Sequence, residues 1–115
     1  MKVVRVLAWL AVSLLAGAAA AAEIQIDFEA DLGTEIAQGR FDPQRDTVGL
    51  RGACPPLSWS QSLPMAALGA GRYGVLVAMD VQACGGQALQ HKFRIQRPGQ
   101  GGDTGWEPGL NHSVP

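Results

Sequence analysis

Hydrophobic and polar residues alternate with a period of two along much of this chain. Ile24 to Ala30 and Tyr73 to Met79 place apolar side chains at every second position, and in Leu89 to Gln96 the residues Leu89, His91, Phe93 and Ile95 alternate with more polar ones. This alternation gives a strand one face for the core and one for water, so it predicts three half-buried strands. A shorter strand is predicted over Thr47 to Arg51. In the first strand the polar positions, Glu29 among them, are expected to face water.

Turn-forming residues separate these runs. They are Phe41-Asp42-Pro43, Cys54-Pro55-Pro56, Leu68 to Gly71, Cys84-Gly85-Gly86 and Pro98 to Gly105. Glycine, proline and aspartate favour turns because of their backbone preferences and local hydrogen bonding. Short strands punctuated in this way predict an all-β domain, an antiparallel sandwich or barrel.

The first 22 residues have the three parts of a secretory signal. Lys2 and Arg5 form a short basic start, Val6 to Leu15 is apolar, and Ala16 to Ala22 offers small residues for cleavage. The pattern predicts a signal peptide over residues 1–22, which holds the only helix-like run, and one secreted or periplasmic domain over residues 23–115. A retained helix is the alternative, but the apolar run is short for a membrane span. No membrane partner is expected after cleavage.

The charge of the exported chain argues against a nucleic-acid partner. Without Lys2 and Arg5, seven basic residues remain against ten acidic ones, a net charge of −3. Binding to phosphates needs a basic stripe, which the sequence lacks. His91 and His112 have neither metal-ligand spacing nor cysteine partners nearby, so no metal or other cofactor is expected. His91 falls on the inward phase of its strand and is expected to pack in the core.

Cys54 and Cys84 are the two cysteines of the chain. Disulfides persist in exported proteins, and a domain of this size gains from a covalent link. We therefore expect a Cys54–Cys84 disulfide. Free thiols or intermolecular pairing are the alternatives. Neither cysteine has the spacing or the neighbouring base of a catalytic thiol.

The last third of the chain concentrates residues suited to holding a sugar. Lys92-Phe93 lies on a predicted strand, Trp106-Glu107 follows a glycine-rich loop, and Asn111 comes five positions after Trp106. Trp59 stands in a polar loop upstream. An indole offers a rigid apolar face to the C–H face of a pyranose, while lysine and asparagine supply polar groups for its hydroxyls.

This order of residues, closed by Val114-Pro115, resembles family 20 carbohydrate-binding modules, the starch-binding domains. The resemblance implies an immunoglobulin-like β-sandwich that binds an α-glucan such as starch, glycogen or a maltooligosaccharide without catalysis, alone or beside a glycan-acting enzyme. It implies a binding site made of Trp59, Lys92, Trp106, Glu107 and Asn111. The family's second site uses upstream tyrosines, whereas the single tyrosine here, Tyr73, is expected to pack inside a strand. One site is therefore expected.

Two other functions belong to different classes of protein. A periplasmic interaction module could dock a protein through an edge strand or loops, with Trp59 and Trp106 as hot spots. A small hydrolase is disfavoured because no nucleophile, base and orienting group can be assembled. Glu35, Asp42 and Asp46 are instead expected on a solvated loop surface. Either tryptophan could also be a packing residue, and Asn111 a turn residue.

Overall fold

The computed structural model describes residues 2–13, 21–85, 88–100 and 104–114. Within these ranges the chain forms strands, one short α-helix and one 3₁₀ turn. In chain order these are β1 Lys2–Ser13, β2 Ala21–Asp31, α1 Gly33–Ala37, β3 Thr47–Gly52, β4 Leu63–Pro64, β5 Ala66–Gly69, β6 Arg72–Asp80, the 3₁₀ turn Val81–Cys84, β7 Leu89–Gln96 and β8 His112–Val114. No helix among the described residues is both long and apolar enough to cross a membrane.

The strands form two four-stranded antiparallel sheets. The first sheet has the order β1-β2-β6-β5, and the second has the order β4-β3-β7-β8. Their apolar faces meet in one described core. Within it, Phe28 of β2 packs against His91 of β7, with ring centroids 4.8 Å apart. The predicted all-β class is confirmed, and the layering is that of a sandwich.

The four predicted strands are present as β2, β3, β6 and β7. Their alternation sets the register, because each inward position meets another inward position on the neighbouring strand. Leu50 pairs with Phe93 between β3 and β7, and Phe28 pairs with Val75 between β2 and β6. Tyr73 is buried, as predicted for a strand side chain that packs in the core.

The structure differs from the predictions in the elements outside the strong alternation. Residues 2–13, expected to be helical within a signal peptide, form β1 and pair along the edge of β2. A run of apolar and small residues fits either conformation, and here the free edge of β2 supplies hydrogen-bond partners. Helix α1 was not predicted because it is only 5 residues long.

Three acidic side chains expected in water are buried. Glu29 of β2 is paired with Arg72, whose Nη2 donates to its Oε1 at 2.8 Å. Glu35 and Asp46, expected on a solvated loop surface, are also buried and lie near arginines. A buried carboxylate is tolerated when it has a charged partner, and sequence alternation alone does not reveal that partner.

The predicted disulfide between Cys54 and Cys84 is present. Cys54 follows β3 in the second sheet, while Cys84 ends the 3₁₀ turn after β6 in the first sheet. The bond therefore ties the two sheets together at one end of the sandwich.

Candidate functional site

The outer face of the second sheet is built by the polar phase of β7. Leu89, His91 and Phe93 are buried, so Lys92 and Arg94, which occupy the alternate positions, point to the opposite face. On the neighbouring strand β3, Arg51 pairs in register with Lys92 and shares this outer face. The basic side chains of Arg51, Lys92 and Arg94 therefore lie together on this face, beneath the candidate site.

Trp106 is placed on this face by a short extended segment that runs beside β7. The Ile95 N–H donates to the Gly105 carbonyl at 2.8 Å, and the Glu107 N–H donates to the Phe93 carbonyl at 3.0 Å. Trp106 itself pairs with Arg94 as an antiparallel bridge. Because side chains alternate along an extended segment, the Trp106 indole lies on the outer face while the Glu107 side chain turns inward.

Trp59 reaches the same face from the loop after β3. The guanidinium of Arg51 fixes this loop, donating from Nη1 to the Trp59 carbonyl at 2.6 Å and from Nε to Ser62 Oγ at 3.0 Å. Leu57 is buried and anchors the other end of the loop in the core. Trp59 remains 39 % exposed.

The two indoles meet above the sheet. Their ring centroids are 6.2 Å apart and their planes are tilted by 52°. Together with Lys92 and Asn111 they line a shallow depression of about 240 Å³. Four of the five side chains that the sequence indicated as a sugar site therefore come together in one place.

Polar contacts hold the rim of this depression, which we call the indole groove. Lys92 Nζ donates to the Gly109 carbonyl, so the lysine spans the groove and meets the loop after Trp106. Asn111 Nδ2 lies 3.3 Å from Gln90 Oε1 at the other end. Both residues line the groove beside the two indoles.

Glu107 is placed differently from the other four. It is only 4 % exposed, and its Oε1 accepts a hydrogen bond from the Phe93 N–H at 3.0 Å. His112 Nε2 lies 2.8 Å from the same oxygen. The carboxylate therefore helps to fix the segment that carries Trp106, and Glu107 lines a different cavity from the one between the indoles.

Sequence reasoning missed two arginines of the site. The guanidinium carbons of Arg51 and Arg94 lie 5.2 Å and 5.4 Å from the Trp106 ring centroid, within the range of cation–π attraction. Both occupy the outward phase of their strands, which was the one available signal. The outward phase did not indicate that both arginines would contact Trp106. The path of the loop between β7 and Trp106 decides that contact, and the strand pattern does not include this loop.

Within the described ranges, no group of three or more His, Cys, Asp or Glu side chains is placed to hold a metal ion. Comparison of the chain with protein-family models, curated proteins and solved structures gave no match.

Proposed function

We propose that this protein is a non-catalytic carbohydrate-binding module that holds an α-glucan in the indole groove. Trp59 and Trp106 would stack on successive glucose units, and Lys92 and Asn111 would hydrogen-bond to hydroxyls at the ring edges. The observation that carries the proposal is the 6.2 Å approach of the two indoles on an outer sheet face, with the lysine and asparagine lining the same depression.

The support of the groove also favours this function. Both tryptophans are held through backbone contacts, Trp59 by Arg51 and Trp106 by its pairing along β7. An indole on an anchored backbone has only two side-chain torsions to order, so it loses little conformational entropy when a ligand arrives. The surface is open and shallow, which suits binding to a polymer chain more than enclosing a small substrate for chemistry.

The size of the groove limits the affinity. Two stacked rings bury roughly a few hundred Å² at about 25 cal/mol/Å², and association costs are subtracted from that gain. We expect a Kd between roughly 10 μM and 1 mM for a maltooligosaccharide.

A pull-down on insoluble starch tests the proposal. The protein should be retained, and soluble maltoheptaose should release it. Trp106→Ala and Trp59→Ala should each abolish retention, because each removes one of the two stacking faces. The thermal melt should change little, since neither indole is part of the buried core.

The matched control is Leu76→Ala. Leu76 is an exposed large hydrophobic residue on β6, in the opposite sheet, so its removal should leave retention unchanged. Elution of the wild-type chain that is the same with and without starch would exclude the proposal. A collapsed melt of Trp106→Ala would instead make this tryptophan a structural residue.

We further propose that the fold is the immunoglobulin-like sandwich of the starch-binding domains, and that the domain is exported after cleavage near Ala22. The two antiparallel sheets, the position of Trp106 beside β7 and the intersheet disulfide support this assignment. N-terminal sequencing of the protein recovered from the periplasm or medium tests the cleavage, and a mature chain that still begins at Met1 would contradict it.

Docking of a protein partner is the second candidate function. It is favoured by the edge of β2, which accepts a complete antiparallel strand from residues 2–13. Once those residues were removed, this edge could pair with a partner's strand. The same pull-down separates the two functions, because a docking module would pass through starch without retention.

A further inference from the structure

Trp106 separates the indole groove from a second, larger cavity. This cavity has a volume of about 420 Å³, within the roughly 300–1,000 Å³ typical of small-molecule sites. Trp106 forms part of its wall, and its polar lining consists of two arginines, two carboxylate residues and one glutamine: Arg40, Arg97, Glu35, Glu107 and Gln100. A smaller depression of about 90 Å³ shares Arg97 and Gln100 with it and adds Arg94. A continuous surface therefore runs from the indole groove past Trp106 to these arginines.

The basic residues of the domain gather around this surface. Seven follow residue 22, and all seven lie in the described part of the chain. Five of them either contact Trp106 or line one of the three depressions, namely Arg40, Arg51, Lys92, Arg94 and Arg97. The chain after residue 22 has a net negative charge, so this clustering of basic side chains makes the charge distribution strongly asymmetric.

The acidic partners in this region do not cancel the charge at the surface. The side chains of Arg40 and Arg97 are 55 % and 37 % exposed, whereas those of Glu35 and Asp46 are 6 % and 0 % exposed. Glu35 and Asp46 therefore lie beneath the arginines and orient them. The third carboxylate, that of Glu107, is 3 % exposed and accepts a hydrogen bond from the Phe93 N–H. A ligand entering the cavity meets guanidinium groups first.

We propose that the cavity beside Trp106 binds an anionic substituent, a carboxylate or phosphate, carried by the glycan that occupies the indole groove. The inference builds on the proposed sugar-binding function and specifies its ligand as an acidic saccharide. Guanidinium groups bind carboxylate and phosphate oxygens with strong charge-assisted hydrogen bonds. Trp106 belongs to both sites, so a sugar stacked on it carries its substituent to the mouth of the cavity.

The test compares three oligosaccharides by isothermal titration calorimetry with the full chain. They are maltoheptaose, the same oligosaccharide with a 6-phosphate, and the same oligosaccharide with a terminal glucuronate. At low salt at least one anionic form should bind about tenfold more tightly than the neutral one, and the better of the two identifies the substituent. The preference should shrink as salt is raised, since both arginines are partly exposed.

Arg40→Gln and Arg97→Gln should each reduce the preference while leaving maltoheptaose affinity unchanged. Arg45→Gln is the matched control, because Arg45 also pairs with Asp46 but does not line the cavity. If Arg97→Gln fails to fold, the more exposed Arg40→Gln decides the test alone.

Failure of this inference can be separated from failure of the proposed function. Binding of maltoheptaose with no gain for either anionic form would overturn the acidic ligand and leave the sugar-binding function intact. Absence of binding to all three would overturn both. Equal competition by an oligoglutamate peptide would also overturn the inference, because it would show attraction to any polyanion.

Discussion

At the scale of single residues, burial divides the polar side chains around Trp106 into those that hold the backbone and those that line the indole groove. Glu107 stands next to Trp106 in sequence, but its carboxylate faces the interior and holds the Phe93 N–H. Asn111 and Lys92 stay at the rim of the indole groove. Arg51 combines two roles, since it fixes the Trp59 loop and lies beside the Trp106 ring.

His91 should make the fold sensitive to acid. It is 1 % exposed, and burial, with a smaller contribution from the charge of His112, lowers the pKa of His91 from 6.5 to about 4. Between these values the unfolded chain binds a proton that the folded chain does not. The contribution of His91 to the free energy of unfolding is therefore fully present above pH 6.5. It falls by on the order of 3 kcal/mol as the pH drops toward 4. Urea denaturation at several pH values measures it.

A His91 variant tests whether His91 causes the loss of stability between pH 6.5 and 4. His91→Phe keeps an aromatic ring against Phe28 and should flatten the loss between pH 6.5 and 4. Asp46 does not interfere, because the hydrogen bond from Arg45 is the main cause that lowers the pKa of Asp46 to about 2. Its contribution is lost only below its ordinary value of 3.8. An unchanged pH profile in His91→Phe would refute the assignment.

At the scale of elements, the segment beside β7 controls the position of Trp106. Gly105 has a φ of +82°, and a Cβ there would lie 1.9 Å from the Ile95 carbonyl oxygen. Gly105→Ala should therefore push the segment away from β7, destabilise the domain by more than about 2 kcal/mol and weaken glucan binding. Chemical denaturation and the starch pull-down measure the two effects.

Gly99→Ala is the control for this change. Gly99 has a similar φ of +76° but open space around its Cβ position, so it isolates the cost of the backbone conformation. We expect about 1 kcal/mol of destabilisation and unchanged binding. Equal effects of the two substitutions would show that the close approach to Ile95 is unimportant.

The proposed docking function would use the edge of β2. Residues 2–13 cover this edge, and removal of residues 1–22 would leave it unpaired. Glu23, Asp27 and Asp31 lie along β2, and like charges of this kind discourage pairing with a second copy of the same strand.

At the scale of the whole molecule, the disulfide links the two sheets. The sequence separation of Cys54 and Cys84 is 30 residues, and closing a loop of that length stabilises by about 3–4 kcal/mol in the chain-entropy model. Replacing both cysteines by serine should lower the free energy of unfolding by that amount, measured by chemical denaturation. The control is the wild-type chain under reducing conditions, which should lose a similar amount. A loss below about 1 kcal/mol in both would contradict this role.

The sequence by itself determined the strands β2, β3, β6 and β7, the inward position of His91, the cysteine pair and four side chains of the indole groove. Strand alternation and turn residues are local properties, so they can be read without the fold. The exposure of Trp59 also followed from its polar neighbours.

Only the tertiary structure decided which of these residues meet. The approach of Trp59 and Trp106, the burial of Glu29, Glu35 and Asp46, and the gathering of arginines around Trp106 all depend on pairings between distant segments. A charged residue is buried or exposed according to whether a partner lies opposite it, and that partner is chosen by sheet register and loop path. Those long-range choices leave no periodic pattern in the sequence.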